Sequence, residues 1–364
     1  MAARDATVGA AKMHGQHRHV IEVRDVWKIF SERPIEALAT IRAENLSKDV
    51  ALSKLDAVIG VRGVSFDVEE GEIFCIMGLS GSGKSTIVRH VNRLIEPTAG
   101  TILIDGTDVG SLDAMALREL RATKIGMVFQ NMALLPHRSV RDNVAFALEL
   151  REVDELTRGR AADAMLERVS LRGYGDRKPS ELSGGMQQRV GLARALAADP
   201  TILLMDEPFS ALDPLIRRGL QDEFLALSQV MNKTTLFITH DLDEAIRMGS
   251  RIAIMKDGAI VQIGSPEEIV TRPTDSYVAD FVRGISKLKF LFAHSVMMSV
   301  EQYRSQVGKT TNLKSCPQAH PDDSLDVLMG LAIDHELPTV IVDDGVAVGV
   351  VTKNALLSGI RGRA

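Results

Sequence analysis

Ile73-Phe74-Cys75-Ile76-Met77 runs without a break into Gly78-Leu79-Ser80-Gly81-Ser82-Gly83-Lys84-Ser85-Thr86. Five apolar residues with no polar alternation describe a strand buried on both faces, the situation of a parallel sheet covered by helices on each side. The stretch from Gly78 matches GxxxxGK[ST], and a helix is predicted from Thr86 to Leu94. Phosphate groups need several donors converging without side chains in the way. Gly78, Gly81 and Gly83 let the backbone N–H groups around Leu79, Ser80 and Ser82 curl around an anion. The following helix start adds partial positive charge, Lys84 reaches the terminal phosphates, and the Ser85 hydroxyl, beside Thr86, is placed to ligate Mg²⁺. The strand–loop–helix context separates this cradle from an ordinary flexible Gly/Ser loop.

Outward from the loop, strands and helices alternate. Val20–Phe30 and Val61–Val68 read as strands, with a two-helix insertion at 31–59 between them, where Pro34 suits a first turn. Further apolar strands are predicted at Thr201–Met205 and Thr234–Ile238, and the stretch from about 131 to 198 is mostly helical. The fold class is therefore α/β, a P-loop nucleotide-binding core with an inserted helical subdomain. It spans residues 20–284, with a flexible tail at 1–19 and a small α+β unit at 285–364. The tail carries His14, His17 and His19, a cluster without the Cys or carboxylate partners of a metal site.

Size and composition bound the function. The chain has 364 residues, 45% hydrophobic and 25% charged, with 43 Lys+Arg against 48 Asp+Glu and a formal net charge of −5. That excludes a largely disordered chain and gives no global attraction for nucleic acid. Cys75 and Cys316, far apart, form no disulfide framework and fit a reducing setting. No stretch approaches the ~20 apolar residues of a membrane span.

Thr201-Ile-Leu-Leu-Met-Asp206-Glu207 supplies the second half of the chemistry, a buried strand delivering two carboxylates at its C-terminal end. Asp206 is expected to hold Mg²⁺ through its hydration shell, and Glu207, one residue on, to polarise an attacking water. A lone Asp-Glu pair is usually a strand end or a helix cap. Beside a P-loop it reads as chemistry. Leu182-Ser183-Gly184-Gly185-Met186-Gln187-Gln188-Arg189 then opens another glycine-rich helix start, for which a single phosphate cradle has no use.

With that second motif the sequence resembles an ATP-binding cassette (ABC) ATPase, whose LSGGQ signature reads LSGGM here. The resemblance implies that Ser183, Gly184, Gly185 and Gln187 of one copy close over ATP held by a second copy of the same chain. It also implies a Q-loop role for Gln130, as a metal ligand and a sensor facing a transmembrane partner. Asp213 in Ser210-Ala-Leu-Asp213 becomes the D-loop aspartate, and His240 the switch histidine beside the γ-phosphate. The aromatic that stacks on adenine is expected near the end of the first strand, where Phe30 competes with Trp27. The strings EEGEIFCIMGLSGSGKST, NRLIEPTAG, FQNMALLPHRSVRDNVAF and HDLDEAIRMGSRIAIM, with the insertion at 31–59, are similar to the ATPases of glycine betaine, proline betaine and choline importers. That resemblance implies ATP and Mg²⁺ as cofactors and separate transmembrane permease subunits as partners. It implies an external substrate-binding protein met only indirectly, no nucleic acid, and a peripheral place on the cytoplasmic face of the bacterial inner membrane. Two alternatives stand beside it, an import ATPase for another small solute and a soluble ABC protein outside transport. The latter would call for two cassettes in one chain or a basic surface, and neither is present.

From 320 on, a helix, an apolar strand, the turn Asp343-Asp344-Gly345, the strand Val346–Val351 and a last helix resemble one cystathionine-β-synthase-type (CBS) regulatory module. The stretch 285–319 reads as a linker and not as a first copy.

Overall fold

The computed structural model describes residues 18–283, 291–307 and 313–361. Its central element is a six-stranded sheet in the order Ala259–Gly264, Arg251–Lys256, Ile73–Gly78, Thr234–Thr239, Ile202–Asp206, Ile125–Val128. All neighbours are parallel except the edge strand Ala259–Gly264, which returns as an antiparallel hairpin. The P-loop strand thus lies inside the sheet, flanked on both edges.

The unbroken apolar runs are explained by what covers each face. Successive side chains of a strand point to opposite sides. Phe74 and Ile76 join one apolar cluster with the P-loop helix residues Ile87, Val88 and Val91, whereas Cys75 and Met77 join the other, on the side of the helical subdomain. Leu204 and Ile238 sort to the first cluster, and Leu203, Met205 and Phe237 to the second. At ~25 cal/mol per Å² this double-sided burial is the main stabilising contribution of the sheet.

The first cluster is closed by an element that periodicity did not separate from the α/β core. His19–Phe30, Val58–Glu69, Ala99–Ile104 and Thr107–Asp108 form their own antiparallel four-stranded sheet. The Phe66 and Phe74 rings, stacked 5.0 Å apart, join the two sheets. The expected 1–19 tail is also too long at its end. His19 opens the first strand and sits 3.2 Å from Asp67, and Arg18 donates to Asp105 at 3.0 Å. His14 and His17 lie outside the described residues.

The insertion forms helices at Pro34–Glu44 and Lys48–Leu55. Asn45 and Asp56 end them in left-handed conformation, which Asn and Asp tolerate better than other side chains. Leu38, Ile41, Leu46 and Ala51 pack with Ile29 and Ile59 as a separate small core. The helical subdomain contributes Val140–Leu150, Glu155–Arg168 and Gly184–Leu196. The P-loop helix covers Lys84–Val91 and not 86–94, because helical hydrogen bonding already starts at Gly83.

In the C-terminal unit, Thr339–Asp343 pairs antiparallel with Val346–Val351 and parallel with Gln318–Ala319. The stretch read as a linker contributes to this unit. Leu291, Ala293 and Val296 are buried with Leu325, Leu328 and Ile341, and Met298 bridges to Val350. Glu267 of the cassette accepts from Ser295 Oγ and lies 3.2 Å from His294 Nε2. No helix among the described residues is long and apolar enough to cross a membrane.

Candidate functional site

The loop from Gly78 to Thr86 turns at the C-terminal edge of the central sheet, and its glycines are required there. A Cβ on Gly78 would stand 2.3 Å from the Met255 carbonyl oxygen, and one on Gly83, whose φ is +103°, would stand 2.3 Å from the Gly60 carbonyl oxygen. The loop therefore fits tightly between neighbouring backbones while its inner face stays open. A cleft of about 530 Å³ opens there, lined by Leu79, Ser80, Gly81, Gly83, Lys84, Ser85, Thr86, Gln130, Glu207 and His240. Four separated chain segments thus converge, and a cradle of this size suits a polyphosphate.

Lys84 is buried, its Nζ donating to the carbonyls of Gly78 at 2.7 Å and Leu79 at 3.0 Å. Burial pulls its pKa down, while the nearby carboxylates of Glu207 and Asp206 oppose that shift. The Ser85 hydroxyl donates to Asp206 Oδ1 at 2.8 Å. This brings together the hydroxyl and carboxylate that the sequence places 121 residues apart, a hard-oxygen pair suited to Mg²⁺. Arg89 lies 3.9 Å from the other carboxylate oxygen.

Glu207 sits at φ +45°, unusual for a non-glycine residue. Its N–H donates to the Ile238 carbonyl at 3.1 Å, so the carboxylate is aimed at the neighbouring strand's exit. There Oε2 lies 3.0 Å from His240 Nδ1 and accepts from Gln130 Nε2 at 3.4 Å. A carboxylate held between an imidazole and an amide at the mouth of a phosphate cradle can orient and deprotonate a water.

Phe30 ends the first strand half in solvent, with Gly60 directly beside its ring and the Gly60 carbonyl against Gly83. It is therefore adjacent to the cradle. Trp27 is otherwise engaged, its Nε1 donating to Asp25 at 2.8 Å and its ring under the Arg42 guanidinium.

None of Ser183, Gly184, Gly185 or Gln187 lines this cleft. Ser183 caps the helix Gly184–Leu196, and above Gly184 there is open space. Gln187 departs from its expected role at a partner's nucleotide. Its amide is turned inward, donating to the carbonyls of Pro179 at 3.0 Å and Leu182 at 3.2 Å, so it braces the signature loop from behind. Asp213 caps the helix Pro214–Met231 through the N–H groups of Leu215 and Ile216.

Two supporting residues escaped the sequence reading. Buried Glu244 accepts from Thr239 Oγ1 and from Gln221 Nε2 at 2.9 Å, fixing the turn that carries His240, and burial raises its pKa. Arg194 donates to the carbonyls of Met132 and Ala133, both at 2.6 Å and both residues at positive φ, holding the loop after Gln130. The only signal for either was a charge inside an otherwise apolar helix face.

A family model described as "ABC transporter" matches residues 61–210. The glycine betaine/carnitine transport ATP-binding protein of Listeria monocytogenes is 52% identical over 281 residues, covering 77% of this chain and 70% of that protein. The chain belongs to the ABC transporter family. This cassette is the ATP-hydrolysing subunit of such a transporter, and the sequence resemblance is borne out. It is also 47% identical to the glycine betaine/proline betaine transport ATP-binding protein of Salmonella typhimurium, over 93% of this chain and 82% of that protein. The trimethylamine N-oxide transport ATP-binding protein of Ruegeria pomeroyi is 54% identical, over 75% of this chain and 80% of that one. Among solved structures, a dimeric post-hydrolysis ATP-binding cassette bound to ADP and Pi aligns with TM-score 0.58 and 31% identity. That alignment covers 68% of this chain and 98% of the other.

Proposed function

We propose that two copies of this cassette bind two Mg-ATP between them and drive import of a small quaternary-amine solute through a separate permease. The observation that carries the chemistry is the Glu207 carboxylate poised between His240 and Gln130 beside the Lys84 cradle. In this reading Gly78–Thr86 holds the phosphates, Phe30 stacks on the base, and Ser85, Asp206 and Gln130 serve Mg²⁺, with Asp206 acting through water. The hard-oxygen donor set fits that ion. Bound Mg²⁺ neutralises phosphate charge in transfer to water. Glu207 orients and deprotonates the water, and His240 holds the Glu207 carboxylate in place and faces the γ-phosphate. Among the described residues no heavy atom outside its own helix turn stands within 4 Å of where a Gly184 Cβ would be, which leaves room there for the partner's γ-phosphate.

An apolar groove of about 710 Å³, walled by Phe129, Leu135, Phe146 and Leu150, opens beside Gln130. An apolar segment of the permease seated there would press directly on the loop that senses the nucleotide. The permease and an external binding protein would place the cassette on the cytoplasmic side of the inner membrane, and the C-terminal unit would regulate transport as a single CBS-like module. The solute class follows the relatives, whose named substrates share a methylated or fully substituted nitrogen. Reconstitution with the permease and binding protein tests it. ATP-dependent vesicle uptake of glycine betaine, competed by choline, proline betaine or trimethylamine N-oxide, supports the proposal. Vigorous ATPase activity with no uptake of any of these would refute the solute class.

A further inference from the structure

We infer that Lys48, which belongs to the insertion and to none of the nucleotide-binding motifs, is a positioning residue for the ATP phosphates. Its Nζ donates to the carbonyl oxygen of Gly81, at the tip of the P-loop, across 3.0 Å. Gly81 lies at φ +77°, and no heavy atom stands within 4 Å of where its Cβ would be.

The insertion is anchored well enough to hold the loop. Lys48 opens the second insertion helix directly after its Ser47 cap. The preceding turn is clasped by Arg62, which donates to the Leu46 carbonyl at 2.8 Å and to Asn45 Oδ1 at 2.7 Å. Arg62 in turn donates its own N–H to the Gly258 carbonyl at 2.8 Å, and Gly258 N–H donates to the Ser82 carbonyl at 3.1 Å. A closed chain of contacts therefore runs from Lys48 through the insertion turn and the sheet and back to the residue after Gly81. Leu46 and Ala51 are buried beneath it, which keeps the helix from swinging away.

The consequence follows from peptide geometry. In a trans peptide the carbonyl and the next N–H point in opposite directions. Holding the Gly81 carbonyl toward the insertion directs the Ser82 N–H to the inner side of the loop, where it donates to the Leu79 carbonyl at 3.2 Å. The ammonium also places positive charge against a loop that receives a polyanion. Lys48 thus tethers the cradle and does not touch the reacting atoms.

The inference rests on the reading that Gly78–Thr86 holds ATP, and the test separates the two. The full-length protein is assayed for ATP KM, kcat and the Kd of a fluorescent ATP analogue. Lys48→Met is expected to raise KM and Kd three- to tenfold, in line with a charge-assisted hydrogen bond at a partly exposed site, and to change kcat less than KM. Lys48→Arg is expected to recover values within twofold of the parent. Lys54→Met, on the same helix but paired with Glu44, is expected to leave both constants unchanged. Melting curves in the absence of nucleotide establish that each variant is folded, and Lys48→Gln replaces Lys48→Met if the latter is not. Parental KM and Kd in the Lys48 variant, with binding lost in Lys84→Met, would overturn the inference and leave the cradle standing. Equal losses in the Lys48 and Lys54 variants would also overturn it, since the insertion would then act through its stability. Undiminished binding in Lys84→Met would overturn the cradle reading itself.

Discussion

Gly83→Ala adds a single methyl group at a tightly confined point of the phosphate loop. Its carbon would stand 2.3 Å from the Gly60 carbonyl oxygen, and 3.4 Å from the Met255 side chain. Ordinary contact begins near 3.4 Å, so the loop or the strand segment carrying Gly60 must retreat by about 1 Å. The backbone at φ +103° is also strained for any L side chain, which costs about 1–3 kcal/mol. A displacement of ~1 Å in positioned groups lowers catalysis on the order of 10²-fold. Because the moving atoms bind phosphate, the loss is expected in kcat/KM for ATP and in nucleotide affinity together. Gly106→Ala is the control, since Gly106 has φ +76° but no heavy atom within 4 Å of its Cβ position. It is expected to cost about 1 kcal/mol of stability and to leave ATP turnover within twofold. Steady-state ATPase kinetics and nucleotide titration, with thermal melts of both variants, make the comparison. Gly83→Ala within threefold of the parent, or Gly106→Ala equally damaging to turnover, would refute the argument that contact with Gly60 confines the cradle.

Glu207→Gln keeps the shape that meets His240 and Gln130 but removes the base, so turnover is expected to fall by ~10²–10⁴ while ATP is retained. Light scattering would then detect an ATP-dependent dimer, and near-parental hydrolysis would contradict the assignment. Phe30→Ala is expected to weaken ATP binding by roughly tenfold, in keeping with ~1–3 kcal/mol for a stacked base, and to affect GTP and ATP alike. An unchanged affinity would shift the stacking role elsewhere. Glu244, whose pKa burial raises above the ordinary 4.5, favours its protonated form in the fold. Its contribution to stability is therefore complete below pH 4.5 and is lost as pH rises through the raised value. Glu244→Gln, with Gln221 turning its amide to match, is expected to flatten that part of the pH–melting curve. An unaltered curve would show that Glu244 does not titrate in that window.

Much of the chemistry was legible in the sequence because it resides in local motifs whose residue types have few alternative uses. Gly78 to Ser85 dictates a loop only glycines can follow, and Asp206-Glu207 at the end of a buried run dictates carboxylates at a sheet edge. The two-helix insertion, the helical subdomain and the alternation of apolar strands were equally readable, since each is set by periodicity over a dozen residues. Three-dimensional packing decided the rest. Periodicity cannot say which strands pair, so the separation of His19–Phe30 and its partners into an antiparallel sheet came only from how the two apolar faces of Ile73–Gly78 are covered. The inward turn of Gln187, the brace of Glu244 beneath His240 and the grip of Arg194 on Met132 and Ala133 are contacts between segments distant in the chain or folded back on themselves. Lys48 and Gly81 illustrate the limit most directly. A lysine at a helix start has many possible acceptors within reach of its flexible stem, and only the burial of Leu46 and Ala51 against the sheet places that stem over the phosphate loop.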